Sequence, residues 1–150
     1  MNLKIFDVAK WFLSKESMTH KKLQKLCYYA YSWFIYMEND DIENIENRLF
    51  EEKFQAWVHG PVNYELYLKY SGYKWNKIEK EDSNLGNLKE YNDFLENVWS
   101  VYGVYDGDQL ETISHQELPW INARKGLKSF ESSQNLIDDK DIYKEYSLRQ

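Results

Sequence analysis

His115 is the residue with the most chemical potential: Ser114 precedes it, Glu117 follows closely, and Trp120 stands five residues beyond. An imidazole between a hydroxyl and a carboxylate can transfer protons or bind a metal. The surrounding residues complete neither chemistry. A nucleophile elbow frames its serine with glycines, and no serine of this chain is framed in that way. Metal sites draw on His, Cys or carboxylates at short helical or turn spacings, whereas His20, Cys27, His59 and His115 are scattered along the chain. Neither a P-loop nor a dinucleotide fingerprint surrounds Gly60-Pro61. The expectation is therefore no catalytic residue, no metal and no cofactor. His115 is expected to be a neutral hydrogen-bonding residue that ties the Pro119-Trp120 corner to the core, with enzyme chemistry at His115 as the lesser alternative.

Other polar positions have two readings each. Gln24 and Tyr28 stand one helical turn apart and could join their helix to neighbouring backbone, but a buried Gln must find such partners in any protein. Lys22 and Lys25 could form a basic lip for an acidic partner, although lysines on an amphipathic helix more often form its wet edge. Gly60 can adopt positive φ and approach another backbone closely, and Pro61 suits a first helical turn, so the pair is expected to punctuate a strand-to-helix turn. Trp57 lies on the opposite parity to Phe54 and Val58, and is either exposed for a partner or packed under the next helix.

These residues need elements to hold them. Ile5, Val8, Ala9 and Phe12 recur at helical spacing and predict a helix over residues 2–13. Thr19 is suited to cap a second helix, in which Leu23, Leu26, Cys27, Ala30, Tyr31 and Phe34 form one stripe and Tyr29, Trp33 and Tyr36 another. A helix apolar nearly all round belongs in the middle of a fold, so this one is the predicted central pillar. Residues 38–47, acidic and amide-rich, form a predicted solvent-facing connection. Phe50, Phe54, Ala56 and Val58 then share one parity, the alternation of a half-buried strand that Gly60-Pro61 stops. A helix over residues 62–70 should turn Leu66, Tyr67 and Tyr70 inward, and residues 71–87 form a long surface excursion with room for a short strand near 75–78. Leu88, Tyr91, Leu95, Val98, Trp99 and Tyr102 rebuild a helical stripe closed by Gly103. Asp106 and Gln109 form a capping-box pattern ahead of Leu110 and Ile113, and Pro119 opens another short helix before Gly126. Asp138 or Asp139 caps a last helix with Ile142, Tyr143 and Tyr146 inward. The predicted fold is mainly α with a small β component (α+β), a compact single domain over residues 1–150 around a buried central helix.

Composition fits that picture. The chain holds 6 Trp, 13 Tyr and 7 Phe in 150 residues, so much of the core must be ring packing, with hydroxyl and indole groups steered towards partners. Its single Cys excludes an internal disulfide, and Cys27 sits on the apolar stripe as a small buried hydrophobe. Lys4, Asp7 and Lys10 interrupt the N-terminal run that a signal peptide would need. No stretch reaches the roughly 18 apolar residues of a membrane span. A soluble, cytoplasmic protein with no membrane partner is the expectation. The net charge of −6 is uneven: residues 1–37 carry six Lys against Asp7 and Glu16, or +4, which leaves −10 for the remainder. That acidic body argues against duplex DNA as the main ligand and suits a basic protein partner better.

Three segments in fixed order carry a family resemblance. Lys22-Leu23-Gln24-Lys25-Leu26-Cys27-Tyr28 leads into aromatic residues, Ala56-Trp57-Val58-His59-Gly60-Pro61-Val62 follows a strand, and His115 leads to Pro119, Trp120, Ala123 and Arg124. In these positions the chain resembles the Panacea domain, also called the SocA-like antitoxin domain, of bacterial and phage toxin–antitoxin pairs. Ser114 stands where the family usually has Thr, which keeps the hydroxyl, and residues 71–87 match nothing in the pattern. The resemblance implies an antitoxin that partners a cognate protein toxin encoded beside it, commonly by direct binding. One branch of the family is instead an adaptor that hands its toxin to an ATP-dependent protease. The motif positions Lys22 to Leu26, Tyr28, Ala56, Trp57, Gly60 to Val62, His115, Pro119, Trp120 and Arg124 are then structural or partner-binding. A stand-alone enzyme and a DNA-binding autoregulator using the Lys-rich first two helices are the competing readings, and a homo-oligomer is left open.

Overall fold

In this computed structural model, which describes residues 3–82 and 86–149, one helix receives most of the others. Thr19 Oγ1 accepts the backbone N–H of Lys22 at 3.2 Å and starts α2, His20–Met37. Leu23, Leu26, Cys27, Tyr28, Tyr29, Ala30 and Ile35 along it are fully buried, as expected of a helix with apolar residues on more than one face. Tyr29 stacks on Tyr102 at 4.1 Å between ring centroids, and Tyr28 meets the ring of Phe54 edge-on at 5.3 Å. The pillar is thus a ring-packed one.

Helix α1, Ile5–Leu13, packs on α2 and begins later than residue 2. Asn2, where the sequence placed its start, lies outside the described residues; Leu3 instead bridges to Phe50 in parallel. The connection after α2 is built around one side chain. Asn39 Oδ1 accepts the backbone N–H groups of Glu46 and Asn47, each at 2.9 Å, while its Nδ2 donates to the carbonyls of Ile35 and Asn47.

The β component is a hairpin: β1, Gln55–Trp57, runs antiparallel to β2, Gly60–Val62, with Gln55 opposite Val62 and Trp57 opposite Gly60. This corrects the expected strand over 50–58 in two ways. Phe50, Phe54 and Ala56 are buried as the alternation required, but only residues 55–57 find a ladder partner in the hairpin. Gly60-Pro61 also does not stop the strand and enter a helix; it forms the returning strand. Val58 and His59 turn the chain with negative φ, and Gly60, at φ +107°, makes the return that an L side chain would strain to make. Residues 135–137 add a short row along the other side of β1, through the N–H of Ala56 to the carbonyl of Asn135 and the N–H of Ile137 to that of Phe54, both 2.9 Å.

Asn63 caps α3, Tyr64–Tyr70, in which Leu66 and Tyr70 are buried while Tyr67 remains 36% exposed rather than turned inward. Residues 71–82 carry a 3-10 turn, Ser71–Tyr73, a fully outward Trp75, and one antiparallel bridge between Met18 and Ile78 in place of the short strand. The part of the expected excursion at residues 83–85 lies outside the described residues. A second 3-10 turn, Gly86–Tyr91, feeds α4, Asn92–Tyr102. Gly103 closes α4 with φ −64°, so its lack of a side chain serves space and not handedness: a Cβ there would lie 2.6 Å from the Trp99 ring. Asp106 and Gln109 make the expected reciprocal cap of α5, Gly107–Ser114. Helix α6, Leu118–Ala123, has Pro119 in its first turn, and Asp138 caps α7, Asp139–Ser147, where Ile142 and Tyr146 are buried and Tyr143 is half-buried. The fold is mainly α with a small β component.

Helix α7 is fixed to the pillar at both ends. Asp139 accepts from Tyr31 Oη at 2.7 Å, Arg48 Nε at 2.9 Å and Lys53 Nζ at 3.0 Å, and these partners hold its carboxyl below the usual range against the opposing effect of burial. At the other end, buried Glu117 accepts from Tyr29 Oη at 3.1 Å, Tyr146 Oη at 3.3 Å and Arg149 at 2.8 Å. Burial raises the Glu117 pKa, with Arg149 working against that rise.

Candidate functional site

The first and third sequence motifs meet on the hairpin that the second forms, and their side chains satisfy its backbone. Gln24 clasps the residue after β2: its Nε2 donates to the Asn63 carbonyl at 2.9 Å and its Oε1 accepts the Asn63 N–H at 2.8 Å. Lys25 Nζ donates to the Pro61 carbonyl at 3.2 Å. From the far side, Trp120 Nε1 donates to the Trp57 carbonyl at 2.8 Å, and Arg124 donates to the Ala56 carbonyl at 2.9 Å and to the carbonyls of Lys128 and Glu131. Four side chains from α2 and from α6 with its C-cap thus hold a hairpin too short to be stable by its own ladder.

The lysines of the first motif are not a wet edge or a basic lip. Lys25 is 1% exposed, because Gly60 lets its chain pass: a Cβ on Gly60 would meet Lys25 Cε at 2.7 Å and Ser114 Oγ at 3.1 Å. Burial, with Lys21 adding to it and Glu111 opposing, pulls the Lys25 pKa down to about 7. Lys22 is also buried, with Nζ on the Gly103 carbonyl at 2.7 Å and on Glu16 at 3.0 Å. Lys21 takes the outer position, paired with Asp108 and Glu111. The polar contact expected of Gln24 is present, and the same amide donates to His20 Nε2 at 3.1 Å. Burial, aided by Lys25, lowers the His20 pKa to about 4, which keeps that nitrogen free to accept. Tyr28, by contrast, is held by ring packing, with Ser32 the polar neighbour of its hydroxyl.

His115 caps the C-terminus of α5 and lies flat on Trp120, 3.9 Å between centroids and 14° between planes. It meets the Pro119-Trp120 corner through this stack, and the Val58 backbone supplies a hydrogen-bonding contact to the imidazole. Nε2 is buried without a hydrogen bond among the described residues and stands 4.0 Å from Glu111 Oε2, and burial lowers the imidazole pKa. Ser114 Oγ donates to the Glu111 carbonyl at 2.9 Å and is sealed inside. Among the described residues no three His, Cys, Asp or Glu are placed to hold a metal ion, and no described helix is long and apolar enough to cross a membrane.

Leu23, Leu26, Ala56, Val62 and Pro119 are buried around this hub. The family described as Antitoxin SocA-like, Panacea domain, matches residues 23–121, two thirds of the chain. The chain belongs to this family. No curated protein and no solved structure matches it. Within the Panacea domain, the match runs from the buried stripe of α2 to α6 and covers the whole clasp except Arg124.

What the clasp leaves outside is aromatic. Trp57 settles between the two readings of the sequence: half-buried, it packs on Tyr67 of α3 at 4.9 Å, and Tyr67 is followed by Tyr64 at 6.3 Å with rings nearly parallel. Tyr64 is 48% and Leu68 60% exposed beside them. Asn63, which the sequence reading did not single out, links all of this: it caps α3 through Leu66, receives Gln24 and donates to the Lys53 carbonyl. An Asn between a strand and a helical run was its available signal.

Proposed function

We propose that this Panacea-domain protein is an antitoxin that neutralises a cognate toxin, encoded beside it, by direct protein–protein binding in the cytoplasm, and that it has no catalytic activity of its own. The observation that carries the reading is the family match over residues 23–121. The geometry supports it in a specific way. Gln24, Lys25, Trp120 and Arg124 of the signature are engaged in holding the hairpin and His115 is stacked on Trp120, which supports reading the motif as a scaffold. The scaffold displays Trp57, Tyr64, Tyr67 and Leu68 on one side, and Tyr and Trp are the residue types that dominate protein interfaces.

Co-expression with the neighbouring gene tests this. Growth rescue together with a co-purifying complex that survives moderate salt is the expected result. Rescue without a complex, lost in a host lacking its ATP-dependent proteases, would assign the adaptor mechanism instead, and a harmless neighbour would remove the toxin from the account.

A further inference from the structure

The two edges of the small sheet are treated in opposite ways. On the β2 side, Pro61 has no N–H to offer, its carbonyl is taken by Lys25, and the next N–H, of Asn63, is taken by Gln24. That edge is closed. On the other side, Asn135 and Ile137 turn their backbone groups towards β1, so Leu136, opposite Gln55, must turn its own N–H and C=O outward. Neither has a partner among the described residues, and Leu136 is 60% exposed. An edge left open in this way is a template for another extended chain.

The ground around the edge describes what that chain would be. A cavity of about 590 Å³ opens between Trp57, Val58 and Ser132 to Gln134, immediately before the edge. Another of about 470 Å³ opens beside Leu136 and Ile137, against Ile42 and Ile45. An extended strand paired at Leu136 would carry side chains towards both, since it advances about 3.3 Å per residue and alternates faces. The wall of the second cavity balances Arg48, Lys53 and Lys140 against Glu43, Asp138 and Asp139, and the unbalanced charge of the segments that carry it is acidic. Residues 38–53 hold seven Asp or Glu and two Lys or Arg, or −5, and residues 128–141 hold four against two, or −2. A second copy would bring two such acidic edges together, whereas a basic strand is complementary.

We infer that the open edge at Leu136 takes an extended, basic strand of the cognate toxin by main-chain pairing, an inference that rests on the direct-binding reading above. The pairing is strand addition to an exposed sheet edge, in which backbone bonds give affinity and the flanking cavities give selectivity.

The test uses the full chain and the co-purified product of the neighbouring gene. Leu136→Pro removes the outward N–H without touching either bond to β1; Leu136→Thr keeps the N–H. At an unchanged unfolding midpoint, Leu136→Pro should weaken association about tenfold or more while Leu136→Thr stays close to wild type. In hydrogen exchange, the Leu136 amide should be fast in the free wild-type protein and slowed in the complex. If Leu136→Pro fails to fold, that amide decides alone. Fast exchange retained in the complex, or full affinity in a folded Leu136→Pro protein, overturns the inference and leaves direct neutralisation standing. A homodimer that Leu136→Pro dissolves would reassign the edge to self-association. Absence of any complex with the wild-type chain would instead remove direct neutralisation itself, and the strand with it.

Discussion

Lys25 carries its amino group inside the protein with one carbonyl, that of Pro61, to receive it. Its pKa near 7 in the folded state against 10.5 in the unfolded chain gives a defined pH signature. Between those values the unfolded chain binds a proton that the folded protein does not, so stability must rise with pH across the window and be flat with respect to this group below about 7. The slope should approach about 1.4 kcal/mol per pH unit in the middle of the window. Tyr28 and Tyr146, whose hydroxyls are raised well above 10 by burial, act oppositely at the alkaline end, because only the unfolded chain releases their protons there. Denaturant titrations of wild type and Lys25→Met across the window provide the measurement. Met leaves the Pro61 carbonyl unsatisfied at every pH, which lowers the whole curve but should flatten its rise. An equal rise in both proteins would put the Lys25 charge in contact with water.

At the scale of elements, α2 carries the fold because its apolar positions cover more than one face and α1, α3, α4, α5, α7 and β2 all pack against it. Leu26, fully buried at its centre, should therefore cost about 2–5 kcal/mol on replacement by Ala, through lost transfer free energy and the cavity left behind. Thermal and denaturant melts measure it, and a change within error would make the helix peripheral. The helices were legible because periodicity and caps are local: Thr19, Asp106 with Gln109, Pro119 and Asp138 each act within four residues of themselves. The hairpin was only half legible. Alternation identified the buried face of Phe50, Phe54 and Ala56, but which residues pair depends on the Val58-His59 turn and on the positive φ of Gly60. The least legible feature was the clasp. Gln24 and Asn63 are 39 residues apart and Trp120 and Trp57 63 apart, and no local pattern says that a lysine on a helical stripe will turn inward when a distant glycine makes room. The buried Glu117, tied to Tyr29 across 88 residues, was hidden for the same reason.

At the scale of the whole molecule, the basic excess of residues 1–37 is largely cancelled by pairing and burial. Of the six lysines in residues 1–37, Lys15 pairs with Glu96, Lys21 with Asp108 and Glu111, and Lys22 with Glu16, while Lys25 is internal. Only Lys4 and Lys10 stay exposed without an ion pair among the described residues. Individually such surface pairs add little stability, but they cancel the local field that a phosphate backbone would have sought. The lysine-rich helices on which a DNA-binding reading depends therefore offer no basic face, and no measurable affinity for duplex DNA is expected at physiological salt. The net charge of −6 should act on a basic toxin over a distance. The screening length falls from about 30 Å at 0.01 M salt to about 8 Å at physiological salt, so long-range attraction should quicken association in the first condition and fade in the second. Contacts made after docking lie within a few ångströms and are screened far less. Association kinetics with the purified toxin should then show an on-rate that drops about tenfold between those conditions, with an off-rate that changes much less. An on-rate indifferent to salt would mean that the acidic surface is solubility alone and that the exposed rings of Trp57, Tyr64 and Tyr67 find the partner unaided.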